Sequence, residues 1–164
     1  LTKVCNEKWN IQQDAGRTIV EAENEIIKIF PKFEKQIKMY YLNHRNMIRG
    51  VFQDSVQILS KLKSLNYQCY VLSNWSAETF EGMMLEYPFL NKFDGMIISG
   101  EDKIVKPDPA IYHLAISRFD LHPNDCVFVD DKLENIDAAI KIGFKAVHLT
   151  NPSTIKADIE NFLI

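Results

Sequence analysis

Three groups of polar residues in this sequence could act together on a charged substrate. Ser73 and Asn74 follow a short apolar run, Lys106 precedes a proline, and Asp130 and Asp131 follow another apolar run. Adjacent carboxylates repel each other, and a hard cation such as Mg²⁺, which prefers carboxylate, water and phosphate oxygens, removes that repulsion. A lysine ammonium suits a phosphate or an ionised nucleophile. The three groups therefore predict a site that holds a phosphate beside a divalent cation.

Each group also has a purely structural interpretation. Paired aspartates can be a helix cap followed by a solvated neighbour, and a lysine before a proline often lies on the surface. The spacing argues against this, because Lys106 lies 33 residues after Ser73 and 24 before Asp130. Each interval accommodates a helix and a strand that return the chain to the same edge of a sheet. We expect Lys106 to act through its charge, so that its loss changes stability by no more than about 1 kcal/mol.

Helical patterns and short apolar runs must position these groups. From about residue 51 they alternate, which predicts an α/β fold with a Rossmann-like parallel sheet and helices on both faces. Ligands of such sheets bind at the carboxyl ends of the strands, where the polar groups lie. The strands are predicted at residues 69–72, 96–98, 126–129 and 146–149.

The first 48 residues have helical patterns and no convincing strand, so we predict a small helical cap at 1–48 and a core at 49–164. Thr18 and Glu21 form a possible capping box at the start of a helix, and Pro31 should end that helix. A second predicted helix carries apolar and aromatic side chains, which could form a core between two helices or, as the alternative, a substrate pocket. They are Phe33, Ile37, Met39, Tyr40 and Tyr41.

Composition narrows the class of protein. The net charge is −3 with scattered Lys and Arg, so neither nucleic acid nor an acidic membrane surface is an expected partner. No apolar run approaches the roughly 18 residues that span a bilayer. Three cysteines without close spacing predict thiols rather than a disulfide framework, with Cys69 and Cys126 buried in strands. We expect a cytoplasmic protein.

Three segments carry a family resemblance. Residues 71–76 (VLSNWS), 105–112 (VKPDPAIY) and 127–136 (VFVDDKLENI) resemble motifs two, three and four of the haloacid-dehalogenase-like hydrolase superfamily. Within it, the chain looks closest to bacterial 2-haloacid dehalogenase-like proteins and sugar-phosphate phosphatases. The resemblance implies that residues 1–48 are the inserted cap. Substrate choice would then fall to cap residues such as Trp9, Tyr40, Tyr41 and His44.

The resemblance also implies roles for the site residues. Ser73 would hydrogen-bond the transferring phosphoryl group with support from Asn74, and Lys106 would steady the charge on nucleophile and phosphate. Asp130 and Asp131 would hold Mg²⁺, and Asn135 would tie the loop together. The reaction would be hydrolysis of a small phosphorylated metabolite through an aspartyl-phosphate. True 2-haloacid dehalogenases use no metal and lack this acidic pair, so the pair favours a phosphatase.

One motif of the superfamily has no counterpart here. Its first motif is a buried strand ending in the nucleophilic aspartate, and no segment of this sequence matches it, so we expect that central strand upstream of Leu1. Three hypotheses remain: a Mg²⁺-dependent phosphatase, a 2-haloacid dehalogenase, and an inactive binding module or truncated paralogue. Without the strand, the strands ending near Leu72 and Val129 should either pair directly or leave a slot about 10 Å wide, twice the normal spacing.

Overall fold

The computed structural model describes residues 4–162 of the chain. The strands are β1 (Tyr70–Ser73), β2 (Gly95–Ile98), β3 (Val127–Asp130) and β4 (Lys145–His148). The helices are α1 (Glu7–Asp14), α2 (Ile19–Ile29), α3 (Glu34–Leu42), α4 (His44–Met47), α5 (Gln53–Ser64), α6 (Ala77–Phe80), α7 (Met83–Glu86), α8 (Ser99–Asp102), α9 (Pro109–Phe119), α10 (Leu133–Ile142) and α11 (Ile155–Glu160). Short 3-10 turns lie at Pro31–Phe33, Pro88–Lys92, Pro123–Asp125 and Pro152–Thr154. No helix in the described part of the chain is long and apolar enough to cross a membrane.

The chain forms two compact units. The first contains the described residues up to Gly50 with Leu72–Glu86 and Ile97–Val105. The second contains Val51–Val71, Tyr87–Met96 and the described residues from Lys106 onward. The first unit thus includes segments beyond the predicted cap, and the assignment of residues 1–48 as a cap stays a prediction.

The predicted α/β fold is confirmed, and the described strands form two small sheets rather than one continuous sheet. In the described residues β1 pairs only with β2, and β3 pairs only with β4, giving two separate two-stranded sheets. The β3–β4 pair is parallel, with Val127 opposite Lys145 and Asp130 opposite His148. Direct pairing of β1 with β3, one of the two arrangements expected without a central strand, is therefore not adopted. The width of a slot between them stays a prediction.

Local sequence signals set several helix boundaries. The Thr18 side chain accepts from the Glu21 amide and the Glu21 carboxylate accepts from the Thr18 amide, so the capping box is confirmed. Asp108 caps α9 ahead of Pro109, and Gly143 ends α10 at a φ of 108°. Asn66 takes the left-handed conformation after α5, with a φ of 64°.

The core of the first unit lies among α1, α2 and α3. Ala22 and Ile37 are fully buried there, and burying a side chain as large as isoleucine contributes about 1.5–3 kcal/mol. Phe33 and Met39 are 47% and 45% exposed, so their predicted place in this core is wrong. Phe33 ends the 3-10 turn before α3, and Met39 lies two residues from both Ile37 and Tyr41, on a different face of α3 from these two buried side chains. The buried cluster consists of Val4, Cys5, Trp9, Ala22, Ile26, Ile37 and Tyr41.

The core of the second unit joins α9 and α10 to the β3–β4 sheet. Ile111 and Tyr112 of α9 are fully buried, and the Tyr112 hydroxyl donates to the main-chain oxygen of Asn135, 2.9 Å away. The Tyr112 ring lies 5.4 Å from that of Phe128 in an edge-on arrangement. These contacts attach the start of α10 to α9 and so fix the loop that follows β3.

The cysteines are free thiols, as predicted, but their burial differs from the prediction. Cys5 is buried, whereas Cys69 and Cys126 are only half-buried, like most residues of the strands β1 and β3 that follow them. Burial raises the pKa of all three thiols. A thiol with a raised pKa is a poor nucleophile at neutral pH.

Candidate active site

Asp130 is a buried carboxylate with three hydrogen-bond partners. It is the last residue of β3 and only 8% exposed. Lys106 Nζ lies 2.7 Å from Oδ2, and the Asn135 side-chain amide donates to Oδ1 at 2.9 Å. The Lys132 amide also donates to Oδ1, at 2.8 Å. The chain can form this cluster because the two residues after β3 turn directly into α10, whose first turn carries Asn135.

Asp130 remains charged despite its burial. Desolvation raises the pKa of a buried carboxyl, but the hydrogen bond and charge of Lys106, with the Lys132 and Asn135 donors, outweigh it and lower the pKa below the usual range. The second unit therefore contains a preformed carboxylate–ammonium pair, an arrangement able to bind and neutralise further charged oxygens.

Lys106 is not a surface residue. Its side chain is 10% exposed, and Nζ lies 5.6 Å from the centre of the Phe128 ring in addition to its contact with Asp130. The residue immediately precedes the Pro107–Asp108 turn that caps α9. The surface-type position on which the small expected stability change rested is therefore wrong, and we now expect a larger change, because removing one member of a buried ion pair leaves the other uncompensated.

Asp131 differs from its neighbour in that its side chain is exposed. Its main-chain oxygen lies 3.0 Å from His148 Nε2, which links the loop after β3 to the end of β4. The two adjacent carboxylates therefore occupy different environments, one buried and paired and the other facing solvent.

The loop after β3 carries the oxygen atoms that were predicted to hold Mg²⁺. Asp130 and Asp131 supply carboxylates, and the Asn135 side-chain oxygen is buried without a hydrogen-bond partner. Within residues 4–162 no group of three His, Cys, Asp or Glu side chains could hold a metal. Mg²⁺ commonly binds through one or two carboxylates completed by water and phosphate, so a partial set of this kind suits it.

Ser73 and Asn74 belong to the first unit, at the end of β1 and in the loop that follows. This loop is fastened to the start of α8, which directly follows β2. The Trp75 amide donates to Ser99 Oγ at 3.0 Å, and Ser99 Oγ donates to the main-chain oxygen of Asp14 at 2.6 Å. The Gly100 amide donates to the Trp75 main-chain oxygen at 3.0 Å. Ser99 and Gly100 were missed in the sequence, although they follow a predicted strand just as Ser73 does.

The structure therefore places the predicted site residues in two groups. Lys106, Asp130 and Asn135 are joined by hydrogen bonds in the second unit, with Asp131 next in the chain. Ser73 and Asn74 lie in the first unit. Their roles in a reaction stay predictions.

The residues predicted to choose the substrate also separate into two groups. Trp9 is buried in the core, with its indole nitrogen 3.4 Å from the Ala22 main-chain oxygen, so its predicted place in a binding pocket is wrong. Tyr40, Tyr41 and His44 line a cavity of about 330 Å³ in the first unit. Asn74 and Trp75 line the same cavity.

Comparisons with known proteins agree with the three motifs. A family model described as haloacid dehalogenase-like hydrolase matches residues 5–143. The chain is similar to (S)-2-haloacid dehalogenase 4A of Burkholderia cepacia, with 32% identity over 61% of this chain and 43% of that protein. It is also similar to the sesquiterpene phosphatase astK of Aspergillus oryzae, with 32% identity over 57% of this chain and 48% of that protein.

A solved structure shows the same fold. This is a mutant of the HAD family enzyme bt-2542 from Bacteroides thetaiotaomicron in complex with magnesium and inorganic phosphate. The TM-score is 0.71 at 24% identity, covering 86% of this chain and 76% of that chain. The matched region spans less than half the length of the two curated relatives. The family model matches most of this chain, which therefore belongs to the haloacid dehalogenase-like hydrolase family.

Proposed function

We propose that the natural protein containing this chain is a Mg²⁺-dependent phosphomonoester hydrolase that acts on a small phosphorylated metabolite in the cytoplasm. The observation that carries this proposal is the loop after β3, where an exposed Asp131 adjoins a buried Asp130 paired with Lys106. The similarity to a phosphatase, and the fold shared with an enzyme that binds magnesium and phosphate, support it.

The proposed reaction is a two-step phosphoryl transfer through an aspartyl-phosphate. An aspartate on a strand upstream of Leu1 would attack the phosphorus, the substrate alcohol would leave, and water would then hydrolyse the acyl phosphate. Lys106 would stabilise charge on the nucleophile and the phosphoryl oxygens, which Ser73 and Asn74 would bind by hydrogen bonds. Asp130 and Asp131 would hold Mg²⁺, which supplies positive charge for the phosphoryl oxygens. Asn135 would keep Asp130 in place.

Dehalogenation is the second candidate. The Lys106 ammonium already neutralises the buried Asp130 carboxylate without a metal ion, as a metal-independent enzyme would need. The similarity to a 2-haloacid dehalogenase also favours it. The exposed Asp131 is unexplained by this alternative, which is why we rank it second.

The experiment uses the whole natural protein and the variant Asp131→Asn, which leaves the buried ion pair intact. We expect hydrolysis of an aryl phosphate to require Mg²⁺ and to fall at least about 100-fold in the variant, the scale of losing electrostatic stabilisation at a reacting centre. Asp125→Asn, on an exposed turn before β3, is the control and should keep its activity. Halide release from 2-chloropropionate without added metal would favour the dehalogenase instead, and equal activity of the two variants would reject the metal site.

A further inference from the structure

The cavity of the first unit has the dimensions of a small-molecule site. Its volume of about 330 Å³ lies near the lower end of the roughly 300–1,000 Å³ typical of ligand pockets. Tyr40, Tyr41, His44 and Trp75 line it, together with Asn74. Asn74 adjoins Ser73, so the cavity is continuous along the chain with the residues proposed to bind the phosphoryl group.

The aromatic side chains of the wall form a continuous series. The ring centres of Tyr40 and Tyr41 are 5.1 Å apart, those of Tyr41 and His44 are 6.3 Å apart, and those of His44 and Trp75 are 6.0 Å apart. Aromatic surfaces at these distances bury large flat areas and stack readily with another ring. The wall thus favours a flat or ring-shaped ligand.

One polar atom of this wall lacks a partner. His44 Nδ1 is buried and makes no hydrogen bond with any described residue. Other polar groups nearby are satisfied: the Tyr41 hydroxyl donates to Asn10 Oδ1 at 2.7 Å and accepts from Gln13 at 2.8 Å. The Trp75 indole donates to Thr79 Oγ1 at 2.9 Å. A buried unpaired polar atom is costly, so an unpaired nitrogen among satisfied neighbours indicates a place for a polar group of a ligand.

The charge of the wall excludes one class of ligand. Asp14 lines the cavity, and no lysine or arginine is among the residues that line it in the described part of the chain. Burial lowers the pKa of His44, which keeps its ring neutral at neutral pH. An acid group on the part of the ligand inside the cavity, such as a carboxylate or phosphate, would face the Asp14 carboxylate and no lysine or arginine. This is unfavourable in a partly desolvated cavity.

From these observations we infer that the cavity binds an uncharged, ring-bearing alcohol, whose hydroxyl or neighbouring polar atom hydrogen-bonds His44 Nδ1 while its ring packs against the aromatic wall. This inference rests on the proposed function, in which such an alcohol is the leaving group of the phosphate ester. It selects ring-bearing phosphate esters without a further acid group as the substrate class.

The test measures binding by this 164-residue chain without any turnover. The probes are benzyl alcohol, its carboxylated analogue 4-(hydroxymethyl)benzoate, and glycerol, which has no ring. Trp75 lines the cavity and Trp9 lies in the core, so quenching of tryptophan fluorescence that disappears in Trp75→Phe reports the cavity. We expect benzyl alcohol to bind at least ten times more tightly than either of the other probes.

Two variants separate the hydrogen bond from the charge. His44→Phe keeps a ring but removes Nδ1, and we expect it to weaken benzyl alcohol binding about ten-fold, while His113→Phe, an exposed histidine of the second unit, has no effect. Met47→Lys adds a cation at an exposed position of the rim and should improve binding of the carboxylated analogue at least five-fold. Circular dichroism melts check that each variant is folded.

The inference is overturned if the carboxylated analogue binds the native chain as tightly as benzyl alcohol, if no probe binds, or if a folded His44→Phe binds benzyl alcohol unchanged. These outcomes are independent of the proposed function. Phosphatase activity of the whole protein without binding in the cavity would reject this inference alone, and selective binding by a protein without phosphatase activity would reject the proposed function alone.

Discussion

At the scale of single residues, Lys106 and Asp130 form the most informative pair. Each is almost completely buried, and their charged atoms lie 2.7 Å apart. Charges this deep must be paired, since desolvation costs several kcal/mol per ion. The pair therefore couples stability to the candidate chemistry, whereas the sequence-based expectation gave Lys106 a role in charge stabilisation and none in stability.

This coupling predicts a large stability change for Lys106→Met. The variant leaves Asp130 buried without its cation, and we expect a loss of about 3–5 kcal/mol in the free energy of unfolding. Urea denaturation measures it. Lys141→Met on the exposed side of α10 is the control and should stay within about 0.5 kcal/mol of the parent. The double variant Lys106→Met/Asp130→Leu should recover much of the loss, and a single variant as stable as the parent would contradict the buried pair.

His44 predicts a pH dependence of stability. Burial lowers its pKa in the folded state, while the unfolded state binds a proton near the usual value of about 6.5. Below that value the unfolded state binds more protons, so stability falls as the pH falls from about 6.5 through the folded pKa. Thermal melts from pH 7.5 to 5 should show this decline, and His44→Phe should reduce it while His113→Phe does not. Asp14, Tyr40 and Tyr41 are the other titratable groups that line the cavity.

At the scale of elements, the loops after the strands are held by close main-chain contacts. The loop after β1 lies against Ser99 and Gly100 at the start of α8, and the loop after β3 lies against the first turn of α10. Each loop thus takes its shape from a neighbouring helix start. Such loops can present polar groups in fixed positions without a long rigid element of their own.

The contact at Gly100 predicts a strict requirement for glycine. A Cβ there would lie 2.4 Å from the Ala77 nitrogen and 2.8 Å from the Trp75 oxygen, which are main-chain atoms that cannot move aside. We expect Gly100→Ala to cost about 1–3 kcal/mol in unfolding free energy, as overpacking does. At Gly95 an added Cβ meets only the Phe119 ring, which can shift, so Gly95→Ala should cost less. Equal costs in urea denaturation would count against the main-chain contact.

At the scale of the whole molecule, the separate sheets agree with a missing central strand. β1 pairs with β2 and β3 with β4, and the described strands include none that joins the two pairs. The strand of the first motif, expected upstream of Leu1, would also carry the attacking aspartate. Completion of the sheet and completion of the reaction centre are therefore expected to depend on the same segment.

The chain of 164 residues is predicted to show no phosphatase activity by itself. With Mg²⁺ and an aryl phosphate, it should release no phosphate above background, because none of its segments matches the nucleophile motif. The whole natural protein, assayed in parallel, is the positive control. Robust turnover by this chain that is lost in Asp130→Asn would show that the nucleophile had been assigned to the wrong segment.

The sequence by itself determined the features that depend on a few neighbouring residues. Its motifs identified the family, and its capping box located the start of α2 at Thr18. The strands were found to within one residue at either end. These signals are readable because a cap or a strand pattern depends on contacts within the same stretch of chain.

Only the tertiary structure decided which of two chemically similar residues is buried and which is accessible. Trp9 is buried in the core and Trp75 lines the cavity, while Asp130 is buried and its neighbour Asp131 is exposed. Lys106 reaches Asp130 across 24 residues of chain. Such differences arise from packing and charge pairing between distant segments of the chain. A local sequence pattern contains no information about those contacts.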